Sequence, residues 1–148
     1  MAKKRYRKAV FLVVYALEEE KPLYLLLHRK LHWSGWELPK GGIEKGETEL
    51  KAVKRELKEE THLKPLKIIN FHKKGKYLYD AKTKKDRIEF IGQTWSLYAV
   101  KTKKRKIIYD KKEHKGFAWL DYKKAINILT WLNQKECLKI IDKRIPEL

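Results

Sequence analysis

Three glutamates within five positions, Glu56, Glu59 and Glu60, are the residues of this chain best suited to chemistry. On a helix that advances about 100° per residue, their carboxylates share one face. Carboxylates this close repel one another and raise each other's pKa unless a cation joins them. Because hard oxygen ligands at this density suit Mg²⁺ or Mn²⁺, the spacing predicts a divalent-metal site; the alternative is a solvated acidic helix face.

The residues around these glutamates separate the two interpretations. Residues 41–63 read GGIEKGETELKAVKRELKEETHL, with a glycine-rich turn, then Glu47, then Arg55 directly before Glu56. A solvated acidic face needs neither the turn nor the arginine. The spacing resembles the signature of the Nudix hydrolase family, which is Gly, five residues, Glu, seven residues, then Arg-Glu-apolar-any-Glu-Glu-any-Gly-apolar. One specified position departs from it, because His62 stands where the signature has Gly.

The resemblance implies an enzyme that hydrolyses a pyrophosphate bond in a nucleoside diphosphate linked to another group, with Mg²⁺ or Mn²⁺ as cofactor. It also implies roles for matching positions. Glu56 and Glu60 would be the principal metal ligands, and Glu59 a further ligand or the general base. The backbone carbonyl of Lys40 would be another ligand. The base itself stays unassigned, and Glu113 is a candidate remote acidic residue or else an ordinary loop glutamate.

The glycine turn and the helix end have structural roles in the same resemblance. Gly41 and Gly42 would let the backbone approach the metal and phosphates closely. Glu47 would pair with Arg55 and hold the turn against the helix; alternatively, it is an exposed carboxylate at a helix start. His62 is expected to end the helix with a positive φ. The replacement of Gly by His at this position is therefore expected to affect the helix end and not the metal ligands.

Two flanking stretches resemble the diadenosine polyphosphate hydrolases, namely residues 36–41 (WELPKG) and 113–120 (EHKGFAWL). By this likeness the Lys40 side chain would contact a phosphate. Tyr77 and Tyr79 alternate on a predicted strand and could stack on a nucleobase, or they form an ordinary sheet face. Arg29 and Arg87 are further candidates for phosphate contact.

Apolar runs predict the elements that must hold the acidic helix in place. Val10–Ala16 and Leu23–Leu27 flank a polar turn and predict a hairpin. Thr48 is the expected N-cap of the acidic helix. Further strands are predicted at Trp36–Pro39, Leu66–Phe71, Lys76–Tyr79, Ile88–Val100, Ile107–Tyr109 and Phe117–Leu120.

Two more helices are predicted near the C-terminal end. Asp121 is the expected cap of the first, and Asn133 of the second, with Glu136 completing a capping box. This order of elements fits an α/β fold, an α/β/α sandwich with a mixed β-sheet, and the Nudix resemblance implies the same fold as one domain over residues 1–148. The apolar residues expected to face inward are Tyr122, Ala125, Ile126, Leu129, Cys137, Leu138 and Ile141.

Composition sets the class of protein and its partners. The 148 residues are 43% hydrophobic, which fits one globular domain. The sequence contains no run of 18 apolar residues, so no membrane span is predicted. The N-terminal residues are interpreted as a basic tail entering a strand rather than a signal peptide, which predicts a cytoplasmic protein. The single cysteine cannot form an internal disulfide. We expect a monomer or homodimer.

The net charge of +18 points to a polyanionic partner, either a nucleotide with several phosphates or RNA; alternatively, it reflects a lysine-rich proteome. Three functions follow. The first is hydrolysis of a dinucleoside polyphosphate such as diadenosine tetraphosphate. The second is pyrophosphohydrolysis of the 5′-triphosphate end of RNA. The third is a nucleic-acid-binding module with an inactive signature, against which the intact glutamates argue.

Overall fold

A mixed β-sheet forms the middle layer of the computed structural model, which describes residues 5–148. The basic tail expected at residues 1–4 lies outside the described residues. None of the helices within residues 5–148 has the length and apolarity that crossing a bilayer requires. The strands are β1 (Tyr6–Glu18), β2 (Lys21–Arg29), β3 (Gly35–Glu37), β4 (Lys40–Gly42), β5 (Lys67–Leu78), β6 (Gly92–Lys101) and β7 (His114–Leu120).

The long strand β1 organises the sheet. It pairs in parallel with β6, while β5 continues the sheet antiparallel to β6. On its other edge, β1 pairs with β4 through Ala9–Phe11 and with β2 through Tyr15–Glu18. The chain therefore passes from β3, which pairs with β2, to β4 on β1 within residues 37–40. This crossing places the glycine turn at the edge where the acidic helix begins.

Helices cover both faces of the sheet, as an α/β/α sandwich requires. Residues 9–16 of β1 are all buried because each face has a helical layer against it. Val10, Leu12 and Val14 face the acidic helix at Glu49–Thr61, and Phe11, Val13 and Tyr15 face the opposite layer. The helices are α1 (Glu49–Thr61), α2 (Ala81–Asp86), α3 (Tyr122–Ile128) and α4 (Leu132–Arg144), followed by a 3₁₀ turn at Ile145–Glu147.

The predicted hairpin, the capped acidic helix and the last strand are all present. Asp121 caps α3 by accepting a hydrogen bond from the Lys124 amide at 2.9 Å. The two strands predicted within residues 66–79 are one strand, β5. Its register with β6 shifts between Asn70 and Lys74, where His72 adopts a φ of 52°. A bulge of this kind interrupts the alternation of side chains along the strand, so the sequence pattern predicts two strands where the structure has one.

The prediction of one strand over Ile88–Val100 was wrong at its start, because β6 begins only at Gly92. Asp80 accepts a hydrogen bond from the Thr83 amide at 2.8 Å and caps the short helix α2. The chain then turns, with the Phe90 amide donating to the Arg87 carbonyl at 2.9 Å. Ile88 is 87% exposed in this turn, so its β-branched side chain does not mark a strand.

Two further predictions were wrong. Ile107–Tyr109 is not a strand, although Ile107 is buried against the α1 side of the sheet. Asn133 does not cap α4, because the helix begins at Leu132 after Trp131, so no capping box forms with Glu136. The start of α4 is held instead by Gln134, whose side chain accepts a hydrogen bond from the Leu38 amide at 2.8 Å. A tertiary contact therefore replaces the local cap.

Candidate active site

Helix α1 presents its glutamates at the edge of the sheet because its apolar stripe is anchored in the core. Ala52, Val53 and Leu57 are fully buried against the sheet. The adjacent face carries the acidic residues Glu56 and Glu60, each 8% exposed. Thr48 caps the helix by accepting a hydrogen bond from the Lys51 amide at 3.2 Å. The helix therefore directs two carboxylates inward and leaves the third, Glu59, on the surface.

Arg55 joins the glycine turn to the helix. Its Nε donates to Glu47 Oε2 and its Nη2 donates to Glu47 Oε1, both at 2.8 Å, while Nη2 also donates to the Gly42 carbonyl at 2.7 Å. The Arg55 hydrogen bonds lower the pKa of Glu47 to about 2 and are the main reason that the pKa of Arg55 is raised. The structure thus brings together the pair that the resemblance implied.

Burial raises the pKa of both inward-facing glutamates of α1. Arg55 Nη1 donates to Glu56 Oε1 at 2.7 Å, yet burial still raises the pKa of Glu56. Burial raises the pKa of Glu60 to about 9, and the charges of Glu113, Glu37 and Glu56 add to the effect. Carboxylates held this close out of water favour a cation. The exposed Glu59 receives only a 3.2 Å hydrogen bond from Arg55.

The glycine turn lies directly against these carboxylates. A Cβ atom on Gly41 would overlap the Glu56 carboxylate, and one on Gly42 would overlap the Arg7 guanidinium. Any other residue at either position would displace these charged groups. The glycines therefore permit a close approach of backbone to carboxylate, and this arrangement fits a divalent ion held between them.

A second group of residues reaches Glu60 from the start of β7. Glu113 and His114 lie there, and their side-chain ligand atoms come within 4.8 Å of one another and of a Glu60 carboxylate oxygen. His114 is fully buried and its Nε2 is 2.8 Å from Glu37 Oε2. Glu113 was predicted from the sequence. Glu37 and His114 were missed as site residues, although both stand in the stretches 36–41 and 113–120, because nothing in either stretch shows that they are adjacent.

Two of the cations predicted to contact phosphate lie beside Glu37. Arg29 Nη1 lies 3.2 Å from Glu37 Oε2, and Lys40 Nζ lies 3.7 Å from Glu37 Oε1. Burial opposes ionisation of Glu37, but the His114 hydrogen bond and the two cations outweigh it and lower the Glu37 pKa. Burial lowers the pKa of Lys40, which Glu37 partly offsets. These cations stabilise a buried carboxylate within the site.

Tyr77, near the end of β5, and Tyr79, just beyond that end, lie close to Arg7, the residue beside Gly42. Tyr79 is 7% exposed and donates to Gln93 Oε1 at 3.1 Å, so little of its ring is available for stacking. Tyr77 packs edge-on against Tyr79 and is only partly buried. Burial raises the pKa of Tyr77 to about 12, and Arg7 and Arg87 act in the opposite direction. The predicted Tyr77 and Arg87 therefore share one region with Arg7.

A cavity of about 590 Å³ opens between this region and α1. It combines cations, carboxylates and two aromatic rings, which suits a nucleotide carrying phosphates. Tyr6, Arg7, Lys8 and Phe90 contribute to it and were missed from the sequence, because they belong to a strand and a turn far from the signature. The lining residues are Tyr6, Arg7, Lys8, Gly42, Ile43, Glu44, Lys45, Gly46, Glu47, Arg55, Glu56 and Phe90.

Comparison with known proteins agrees with this geometry. The family model for the NUDIX domain matches residues 5–139. The chain is 31% identical to an RNA pyrophosphohydrolase of a Nitratiruptor species, covering 96% of this chain and 95% of that one. It is 30% identical to an RNA pyrophosphohydrolase of a Sulfurovum species, covering 98% and 96%.

Solved structures show the same fold. The Ap4A hydrolase of C. elegans, in a binary complex, aligns with a TM-score of 0.76 at 24% identity, covering 96% of this chain and 99% of that one. A NUDIX hydrolase of Listeria monocytogenes aligns with a TM-score of 0.79 at 20% identity, covering 97% and 96%. With the family match and the site geometry, these likenesses show that the chain belongs to the Nudix family and is a Nudix pyrophosphohydrolase.

Proposed function

We propose that this enzyme hydrolyses the pyrophosphate linkage at the 5′-triphosphate end of RNA. The observation that carries the proposal is the similarity, over nearly the whole chain, to two proteins named RNA pyrophosphohydrolase. The net charge of +18 supports it, because a basic surface attracts a polyanion over long distances. With RNA as the substrate, we infer that the enzyme acts in the cytoplasm.

The metal site is proposed to consist of Glu56, Glu60 and Glu59, with the backbone carbonyl of Lys40, and Mg²⁺ or Mn²⁺ suits these oxygen ligands. The burial and raised pKa values of Glu56 and Glu60, with the close approach of Gly41, support it. A bound divalent ion would neutralise phosphate oxygens and lower the pKa of the attacking water.

The remaining roles belong to side chains of the chain itself. The guanidinium of Arg7, beside Gly42, is proposed to bind a phosphate in the cavity. Arg29, Lys40 and Arg87, which are not among the residues lining that cavity, are proposed as further phosphate contacts. Tyr77 is proposed to stack on a base, since Tyr79 is largely buried. The proton acceptor for the attacking water is proposed to be one of Glu59, Glu60 and Glu113.

A dinucleoside polyphosphate such as diadenosine tetraphosphate is the second candidate substrate. Residues 36–41 and 113–120 favour it, because they resemble the corresponding stretches of the diadenosine polyphosphate hydrolases. In this chain both stretches meet at one point, where Glu37 and His114 are hydrogen-bonded at 2.8 Å.

Product analysis with both substrates tests the proposal. The purified protein is incubated with Mg²⁺ and either 5′-triphosphorylated RNA or diadenosine tetraphosphate, with Glu60→Gln as the inactive control. We expect pyrophosphate or phosphate from RNA, and faster turnover of RNA than of the dinucleotide. ATP and AMP released from the dinucleotide, with RNA left intact, would replace the proposed substrate with the second candidate.

A further inference from the structure

His114 is the most completely buried ionisable side chain near the proposed metal site. It is 0% exposed and lies at the first position of β7. The backbone around it is fixed on both sides: its amide donates to the Asp110 carbonyl at 2.9 Å, and the Glu113 carbonyl accepts from the Lys30 amide at 2.9 Å. The register of β2 with β7 shifts between His28 and Arg29, so that His114 pairs with Arg29. These bonds set the direction of the imidazole ring.

The two ring nitrogens of His114 have different surroundings. Nε2 lies 2.8 Å from the Glu37 carboxylate, which is held between Arg29 and Lys40 and accepts hydrogen bonds only. Nε2 is therefore the nitrogen that donates in this contact. The other nitrogen, Nδ1, lies 3.7 Å from Glu60 Oε2 and has no hydrogen-bond partner among residues 5–148.

We propose that His114 Nδ1 is a nitrogen ligand of the divalent ion, which it shares with the carboxylates of Glu60 and Glu113, and that Glu37 orients the ring. Ligand atoms of these three residues lie within 4.8 Å of one another, which is close enough to surround one ion. A buried nitrogen that has no partner and lies 3.7 Å from the Glu60 carboxylate is costly without such an ion. A ligating histidine that donates its other N–H to a carboxylate is a recurrent arrangement in metal sites.

The nitrogen ligand has a consequence for metal preference. Mg²⁺ binds oxygen almost alone, whereas imidazole nitrogen suits first-row transition ions such as Fe²⁺, Ni²⁺ and Zn²⁺, and Mn²⁺ stands at the weak end of that series. A nitrogen ligand is therefore expected to favour Mn²⁺, and the later ions still more, over Mg²⁺. This inference rests on the proposed metal-dependent function and adds a ligand that the family signature in residues 41–63 does not contain.

Pulsed EPR of the Mn²⁺-loaded protein tests the nitrogen ligand directly. We expect coupling of Mn²⁺ to nitrogen in the wild type and a changed pattern when histidine is labelled with ¹⁵N, a measurement that needs no variant. His114→Gln keeps an amide able to donate to Glu37 but removes the ligand nitrogen, so the coupling is expected to disappear. Its Mn²⁺ affinity is expected to fall about tenfold or more, and its Mg²⁺ affinity less. The control is His72→Gln, at an exposed position on β5, which is expected to keep the coupling.

The outcomes separate this inference from the proposed function. Mn²⁺ bound to oxygen alone in an active wild-type enzyme would overturn the histidine ligand and leave the glutamate site standing. Equal loss of Mn²⁺ and Mg²⁺ affinity in a folded His114→Gln protein would also overturn it. A wild type that binds no Mn²⁺ would overturn both the histidine ligand and the proposed glutamate site.

Discussion

Glu60 connects the chemistry of the site with the stability of the fold. Its pKa is raised to about 9 mainly by burial, against about 4.5 for an exposed glutamate. A carboxyl group whose folded pKa is raised is most favourable below pH 4.5, and its contribution is lost as the pH rises towards 9. In chelator, the free energy of unfolding of the wild type is therefore expected to fall with pH over this window.

This pH dependence can be isolated with one variant. Relative to Glu60→Gln, the wild type in chelator is expected to lose about 1 kcal/mol per pH unit between about pH 5 and pH 8, measured by urea unfolding. Added Mn²⁺ should restore the wild type and have little effect on the variant. Parallel pH curves for the two proteins would contradict the raised pKa of Glu60.

Glu47 is expected to hold the glycine turn through Arg55. In Glu47→Gln the charged pair with Arg55 is lost, and the turn should open, because the Glu47 carboxylate also accepts from the Glu44 amide at 3.0 Å. We expect lower turnover and faster hydrogen exchange at the Glu44 amide. Glu44→Gln is the matched control, since its side chain is 68% exposed and lies 3.8 Å from Arg55. Equal effects in the two variants would show that the pair has no special role.

Two glycines, one in β4 and one in the turn between β4 and α1, are required for different reasons. A Cβ on Gly41 would overlap the Glu56 carboxylate, whereas Gly46 has open space around it and requires glycine only for its φ of 79°. Gly41→Ala should therefore lower Mn²⁺ affinity about tenfold or more, measured by calorimetry. Gly46→Ala should cost about 1 kcal/mol of stability and leave Mn²⁺ affinity unchanged. Unchanged affinity in Gly41→Ala would contradict the proposed position of the metal.

The C-terminal end of α1 has a strained backbone conformation, which the departure from the signature at His62 predicted. His62 stands at the glycine position of the signature and adopts a φ of 60°, with its amide donating to the Lys58 carbonyl. His62→Gly should raise the free energy of unfolding by about 1 kcal/mol without changing turnover. His62→Ala keeps the Cβ atom and should show no gain. A gain in His62→Ala equal to that in His62→Gly would indicate that the imidazole, rather than the backbone, is responsible.

The charge of the whole molecule is expected to act on long substrates. Beyond the end of α1, a basic cavity of about 380 Å³ includes Lys103 and Lys106, both exposed. If RNA crosses this surface, neutralising the two lysines to glutamine should raise the KM for triphosphorylated RNA. The slope of log KM against log salt should decrease by about 0.7 per lysine. The KM for diadenosine tetraphosphate should not change.

Lys139→Gln and Lys143→Gln provide a charge-matched control for this prediction. Both lysines are exposed on α4, which packs against the other face of the sheet. The control variant loses the same net charge and is expected to keep the salt slope of the wild type. An equal decrease in both variants would mean that net charge alone, and not a surface near α1, attracts the RNA.

Local sequence determined much of the fold and part of the site. Arg55, Glu56 and Glu60 lie within six positions of one helix, so helical spacing alone was enough to bring them together, whereas the pairing of Glu47 with Arg55 was predicted from the family resemblance. The hairpin, the caps at Thr48 and Asp121 and the buried stripe of α4 were likewise predictable, because each depends on neighbouring residues. The predictions at Ile88–Val100, Ile107–Tyr109 and Asn133 were wrong where a cap, a turn or a tertiary contact overrode the local pattern.

Only the tertiary structure decided how distant segments complete the site. Glu37 and His114 are 77 positions apart, yet the pairing of β3 and β7 with β2 brings them into hydrogen-bonding contact. Arg29 and Lys40 also lie beside Glu37, and His114 Nδ1 lies 3.7 Å from a carboxylate oxygen of Glu60. The sequence by itself determined the family signature, because its spacing is a property of one turn and one helix. The surroundings of each charge were decided by strand pairing, since burial and long-range contacts exist only in the folded chain.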